Sequence, residues 1–378
     1  MIEIDRPYQL RGIYFGENAT DTIDGTLDFS TKKEQIKFNL NFLLSQMETV
    51  LVTGGSGLVG KAIQNLIERF EPDQRFHYEF VAGVDLTDLD ATKSLFEKIK
   101  PNYVIHLAAM VGGLYKNEKN NLDFFRVNMA INDNVLSMAD KYKVKKCVSC
   151  LSTCIFPDQI QYPIDEKMIH LGPPHSSNYG YSYAKRMIDI LNRAYMDRNQ
   201  SSESDSRPIF TSIIPTNVYG PNDNFNLEDG HVIACLIHKA YLACMEAKAK
   251  NSTSAELIVL GSGEPRRQFI YCYDLAKLII WVIENYEEKE PIILSVDESE
   301  EISIKDVAEL IAESMRNHFT DINLSLKFDH NFSDGQFKKT ASNKKLRKYL
   351  PKYQFIPMFF GIEKTVKWFI ENYDQARK

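Results

Sequence analysis

The sequence predicts an α/β protein: a Rossmann-type, doubly wound parallel sheet with a smaller, mostly C-terminal substrate-binding lobe. Three observations carry this. An apolar, β-branched run at 49–53 meets Gly54, Gly57 and Gly60 at three-residue spacing, and the amphipathic segment LVGKAIQNLIERF follows. From Thr49 onward, short apolar runs alternate with helix-period segments, the pattern of a parallel sheet covered by helices on both faces. Beyond Gly220 the chain changes to longer irregular stretches such as PNDNFNLEDGHV and GSGEPRRQFIYCYD, which suggests a second lobe over the crevice at the carboxyl ends of the strands.

In chain order, residues 1–48 read as an N-terminal extension of unknown role. The strand candidates are TVLVT, YEFVAG, YVIHLAA, KCVSCLST, FTSIIPT and PIILSV, and helical patterns fall at 59–70, 90–99, 121–142 and 182–198. The polar stretches 197–208 and 246–256 read as solvated loops. The expected division is a dinucleotide-binding domain over 49–220 and a substrate lobe over 221–378, with the strand at 291–296 returning to the first domain.

At 378 residues the chain suggests two or three domains. Its 45 basic against 51 acidic residues, a net charge of −6, argue against a general nucleic-acid binder, which needs surplus Lys and Arg to displace counterions. No apolar run approaches the ~20 residues of a membrane span, and a cytoplasmic location without a membrane partner is expected. Six cysteines are too sparse for a disulfide framework. Cys147 and Cys150, three apart on a strand, point to opposite faces and cannot grip one ion, so no metal is expected.

The glycines have separable uses. Gly54 lets the chain turn off its strand, Gly57 lets backbone approach a diphosphate, and Gly60 lets the helix pack against the sheet, with Leu58 and Val59 opening that helix. The helix N-terminus then faces the anion. Tyr181 and Lys185 lie four apart on a helix and share a face; the ammonium is expected to lower the phenol's pKa, so that Tyr181 delivers a proton to a carbonyl oxygen as hydride reaches the carbon. Ser152 stands at a strand end where side chains enter the crevice, and can hold the same oxygen. His106 reads as a packed strand residue.

Together VLVTGGSGLVG, VIHLAAMVGG, LSTCIFP, YGYSYAKRM, PTNVYGPNDNFN with GHV, RRQFI and SDGQFKKTASN resemble the nucleotide-sugar epimerase-reductases of the extended short-chain dehydrogenase/reductase family, over nearly everything from residue 49 onward. The resemblance implies inversion of C3 and C5 of GDP-4-keto-6-deoxy-D-mannose, then NADPH-dependent reduction at C4. It implies Cys154 as base and His231 as acid, with Ser152, Tyr181 and Lys185 serving the C4 oxygen. Cationic neighbours and helix ends are expected to lower the thiol pKa of Cys154. Asn217 would position the sugar; Lys239 and Arg267 would meet the diphosphate or sugar; Asp334 would meet guanine or ribose. Lys338 and Lys339 read as phosphate neighbours or solvated.

The second strand ends Val81-Ala82-Gly83 without the acid typical of NAD enzymes, which permits NADP, and Asp85 is expected at the adenine by similarity. No Lys or Arg stands there for the extra phosphate. The related 4,6-dehydratases carry an Asp-Glu pair where this chain has Cys154-Ile155, which disfavours dehydration. A nucleotide-binding sensor on the same fold would often lack the Tyr-Lys pair. A homodimer is expected by similarity, through helices 121–142 and 182–198.

Overall fold

The computed structural model describes residues 47–70, 75–200, 208–332, 334 and 336–378; the predicted extension at 1–48 lies outside them except for its last two residues. Strand β1 (Glu48–Thr53) runs into helix α1 (Leu58–Phe70) through the glycine turn. Leu58, Ala62, Ile63 and Leu66 recur at helical spacing and are buried, so this face holds α1 on the sheet. Next come β2 (Phe76–Val81), α2 (Leu89–Ile99) and β3 (Tyr103–His106). Asp88 caps α2 by accepting from the Asp90 and Ala91 amides, and Lys100 closes it in the left-handed conformation.

After α3 (Leu114–Lys119), α4 (Asn121–Lys141) leads to β4 (Lys146–Cys150), and α5 (Tyr179–Gln200) to β5 (Ile209–Pro215). The long helices α4 and α5 pack side by side. The chain continues through β6 (Asn217–Tyr219), α6 (Val232–Ala249), β7 (Ser254–Leu260), β8 (Arg266–Arg267), β9 (Phe269–Tyr271), α7 (Cys272–Asn285) and β10 (Ile292–Leu294). It ends with β11 (Ile302–Ser303), α8 (Ile304–His318), β12 (Asn323–Asp329), α9 (Lys344–Tyr349) and α10 (Met358–Glu371).

The central sheet has six strands in the order β10-β5-β4-β3-β1-β2, all paired in parallel. The order reverses direction at β1, so a crevice opens between the carboxyl ends of β1 and β3. Helix α7 lies with α1 in one apolar cluster, joining Leu275, Leu278 and Ile279 to Ala62, Ile63 and Leu66. Both α7 and β10 therefore complete the central sheet layer although they follow β6–β9 in sequence, and residues 47–378 form one compact unit in place of the expected 49–220 and 221–378 division. The second lobe is built on the parallel pair β7–β12, with α6, α8 and α10 around it.

Two loop readings fail at least in part: the stretch 197–208 begins inside α5, which runs on to Gln200. The stretch 246–256 is not a loop: α6 runs on to Ala249 and β7 begins at Ser254. Its Ala and Lys residues are good helix formers, and Ala247 is buried, so packing overrides the polar appearance. Among the described residues, no helix is long and apolar enough to cross a membrane.

Candidate active site

The glycine turn forms a cradle that side chains would fill. Gly54 has φ +72°, and a Cβ there would sit 2.8 Å from the Ala108 nitrogen; one at Gly60 would sit 2.6 Å from the Gly55 Cα. A Cβ at Gly57 would meet only the Gly54 oxygen, at 3.3 Å, which leaves its other side open for an approaching ligand. The first α-helical bond here runs from the Lys61 amide to the Gly57 oxygen at 2.8 Å, so the amides before it have no intrahelical acceptor. This arrangement fits a dinucleotide diphosphate. Buried Leu58 and half-buried Val59 fix the start of the helix. Asp85, beyond β2, is exposed and accepts from the amide (2.9 Å) and hydroxyl (2.6 Å) of Thr87; these bonds hold its carboxyl below the usual range.

Four predicted residues meet at the end of β4. Ser152 follows the strand and accepts from the Cys154 amide at 3.4 Å, opening the short turn Thr153–Ile155 that carries the thiol. Arg186, buried on α5, donates from Nε to the Ile155 carbonyl at 2.8 Å and from Nη1 to Gly172 at 2.8 Å, pinning that turn. Lys185 is also buried, and its ammonium donates to the Cys150 carbonyl at 2.9 Å. Burial pushes its pKa down, while the Cys150 and Cys154 thiols act in the opposite sense. Cys154 thus lies within electrostatic reach of Lys185, Arg186 and Lys339, and of Tyr181. The ring of Tyr181 meets Phe124 edge-on, with centroids 6.3 Å apart.

The expected lowering of the Tyr181 pKa is not found. Burial, reinforced by the neighbouring Cys154 and Cys150 thiols, raises it well above the ordinary phenol value. A phenol held protonated remains a proton donor.

A buried polar chain supports α5 from below. The His106 Nδ1 lies 2.8 Å from the Thr53 hydroxyl and its Nε2 lies 3.1 Å from the Asn132 Oδ1; the Asn132 amide donates to the Ala184 carbonyl at 3.2 Å. Burial, then the Lys185 charge, lowers the His106 pKa to about 3, so the ring is a neutral packed residue.

His231 lies elsewhere in the chain, at the residue preceding α6. Its Nδ1 is 3.1 Å from Asp223, while 56% of its side chain is exposed. The hydrogen bond to Asp223 raises the imidazole pKa, against burial and the Arg377 charge. Its loop is tied to the segment after β3: the Gly113 amide donates to the Asp229 carbonyl at 3.1 Å, and Lys116 pairs with the Asp229 carboxylate at 2.8 Å.

The remaining predicted residues take separate places. Arg267 donates to the carbonyls of Gln336 (2.6 Å) and Arg266 (2.7 Å), and half-buried Lys339 feels its charge. Asn217 donates to the Gln268 carbonyl at 2.9 Å. Lys239 is half-buried two turns along α6 from His231, beside Cys235. Asp334 is committed to a turn, accepting from the Ser262 amide at 2.9 Å and hydroxyl at 2.6 Å. Lys338 pairs with Glu301 at 3.6 Å. Sequence reasoning gave no role to Arg186, Asn132 or Asp223. Arg186 and Asp223 both lay in quoted motifs, YGYSYAKRM and PNDNFN; Asn132 lay in none.

A parallel sheet with a glycine cradle at its switch point, and a Ser, Tyr and Lys at the neighbouring strand end, defines a nucleotide-dependent oxidoreductase of the short-chain dehydrogenase type. The chain belongs to the NAD dependent epimerase/dehydratase family, whose family model matches residues 50–296. It is 54% identical over 331 residues to a GDP-L-fucose synthase of Dictyostelium discoideum, covering 87% of this chain and 98% of the relative. It is 52% identical over 333 residues to a probable GDP-L-fucose synthase of Drosophila melanogaster, covering 88% and 100%. A crystal structure of a GDP-L-fucose synthetase from Naegleria fowleri bound to NADP superposes with a TM-score of 0.78 at 44% identity, covering 88% of this chain and 96% of that one.

Proposed function

We propose that the protein is a cytoplasmic GDP-L-fucose synthase: it inverts C3 and C5 of GDP-4-keto-6-deoxy-D-mannose and reduces C4 with NADPH. The observation that carries this reading is the Cys154 turn at the end of β4, opened by Ser152 and pinned by Arg186, with Lys185 bonded to the Cys150 carbonyl, on the same parallel sheet as the glycine cradle. The similarity to GDP-L-fucose synthases supports the choice of substrate.

Protons on carbons flanking a ketone are acidic because the resulting charge moves to the carbonyl oxygen. Cys154, as thiolate, takes the proton from C3, releases it to solvent, and then takes the proton from C5. The electron pair moves onto the C4 oxygen, which accepts hydrogen bonds from Ser152 and Tyr181. His231 returns a proton to the opposite face of each carbon, which inverts it. The Gly54–Gly60 cradle with Leu58 and Val59, together with Asp85, Tyr181 and Lys185, would hold NADPH, which supplies hydride to C4 when bound. Tyr181 then protonates the C4 oxygen, and the Lys185 ammonium offsets the charge left on the phenolate. Arg267 and Lys239 meet the anionic part of the nucleotide sugar, Asn217 the hexose, and Asp334 the guanine or ribose.

The subunits pair as a homodimer through α4 and α5, whose exposed Leu122, Phe125, Tyr179 and Ile190 give a partner apolar surface. Sedimentation equilibrium checks this, and a monomer at micromolar concentration would refute it.

The deciding experiment supplies GDP-4-keto-6-deoxy-D-mannose and NADPH in heavy water. The expected product is GDP-L-fucose with solvent deuterium at C3 and C5. A product reduced at C4 without solvent label, or no NADPH consumption at all, would overturn the proposal.

A further inference from the structure

We infer that Asp223 is the positioning residue of the acid in this reaction: it orients the His231 imidazole so that Nε2 carries the proton delivered to the sugar. The inference rests on the reading of His231 given above. Asp223 is 2% exposed, and its Oδ1 lies 3.1 Å from the His231 Nδ1 and accepts the Asn224 amide at 2.7 Å. Its Oδ2 is buried and has no hydrogen-bond partner among the described residues. An ionised carboxylate only accepts, so Nδ1 must carry a hydrogen in either charge state of the ring. The second proton of the imidazolium therefore sits on Nε2.

A carboxylate with one oxygen unsatisfied in the interior is costly unless a charge stands beside it, and the imidazolium is that charge. Loading His231 with a proton therefore stabilises the buried acid as well. The surrounding groups do not cancel this. Arg377, whose guanidinium donates to the Asn222 carbonyl at 2.7 Å, opposes protonation of the ring. Cys235 on α6 and Cys272 on α7 both feel the Asp223 charge and are pushed up, mainly by burial. Asp229, in the same loop, is neutralised by Lys116.

The division of exposure suits a step performed twice. Transfer moves the Nε2 proton to carbon and leaves a neutral ring with its hydrogen on Nδ1. Because 56% of the His231 side chain is exposed while only 3% of the Asp223 side chain is, solvent can reprotonate Nε2 between the two inversions without disturbing the anchor.

The test is a proton titration of His231 by NMR in the full chain, with the resonance assigned by its loss in His231→Gln. It is paired with solvent-exchange rates on GDP-4-keto-6-deoxy-D-mannose and NADPH-oxidation rates on substrate already inverted at C3 and C5, both for Asp223→Asn. In the wild type, His231 is expected to titrate above the ordinary imidazole value of 6.5. In Asp223→Asn the titration falls, the alkaline limb of sugar exchange moves to lower pH, and the ratio of exchange to reduction drops by at least ~10-fold. A residue that only held the fold would lower both rates together and leave the limb in place, and that result overturns the inference. If Asp223→Asn does not fold, the wild-type titration decides: a value at or below 6.5 sinks the idea. A wild type that exchanges no sugar proton defeats the proposed function, while the titration still reports on the pair.

Discussion

Arg186 donates from Nε and Nη2 to the carbonyl of Ile155 and from Nη1 to that of Gly172, and so holds the turn on which Cys154 rides. The same guanidinium lies within electrostatic reach of the thiol. One buried side chain thus both places the thiol and supplies positive charge near it.

Replacing Arg186 with Met keeps much of its length but leaves the Ile155 and Gly172 carbonyls without their donor. Each lost bond of this charged kind is worth about 1.5–3 kcal/mol. A lower melting temperature is expected, with sugar exchange reduced more than C4 reduction of substrate already inverted at C3 and C5. Equal loss of the two rates would argue that Arg186 serves the fold alone.

Cys154→Ser and Tyr181→Phe should separate the two halves of the reaction. The first variant is expected to lose solvent deuterium incorporation by about 10²-fold or more, while still oxidising NADPH with a substrate already inverted at C3 and C5. The second is expected to do the reverse, retaining slow exchange and losing reduction. The raised pKa of Tyr181 adds that reduction should persist well into alkaline solution before the phenol ionises.

The His231–Asp223 pair makes a contribution to stability with a definite pH dependence. The folded-state pKa of His231 is raised above 6.5, so the stabilisation is fully present below that value and is lost as pH rises through the raised one. The melting temperature of His231→Gln should therefore fall furthest below wild type in mildly acidic solution, and the gap should narrow on the alkaline side. A gap that widened with pH would contradict the assigned direction. The ring is half solvated, so the effect is small.

Gly60→Ala tests the cradle. Its Cβ would sit 2.6 Å from both the Cα and the oxygen of Gly55, which are backbone atoms that cannot swing away. The overpacking is expected to cost about 1–3 kcal/mol and to weaken NADPH binding, measured by quenching of cofactor fluorescence. Unchanged affinity would mean that the helix start does not contact the cofactor.

The sheet was legible in the sequence because its inner strands are buried on both faces and read as short apolar runs, most of them followed by a segment of helical period. Runs such as VLVT and FTSIIP leave little else to form. Tyr181 and Lys185 were legible because four residues on a helix make one face. The stretch 246–256 misled because the buried position of Ala247 follows from packing, which composition does not show. The Tyr181 pKa misled for a related reason: spacing places an ammonium near a phenol, but only the fold shows how deeply the phenol is buried, and burial raises its pKa.

Local pattern alone was enough to establish the nucleotide cradle, the parallel sheet and the residue types available for proton and hydride chemistry, since each depends on neighbours within one or two turns of chain. Three things depended on the folded molecule: α7 packing against α1, Arg186 reaching back 31 residues to the thiol's turn, and a buried carboxylate anchoring His231. Hydrogen-bond partners across loops are chosen by backbone geometry, and burial decides which charge is costly; neither quantity is periodic along a sequence.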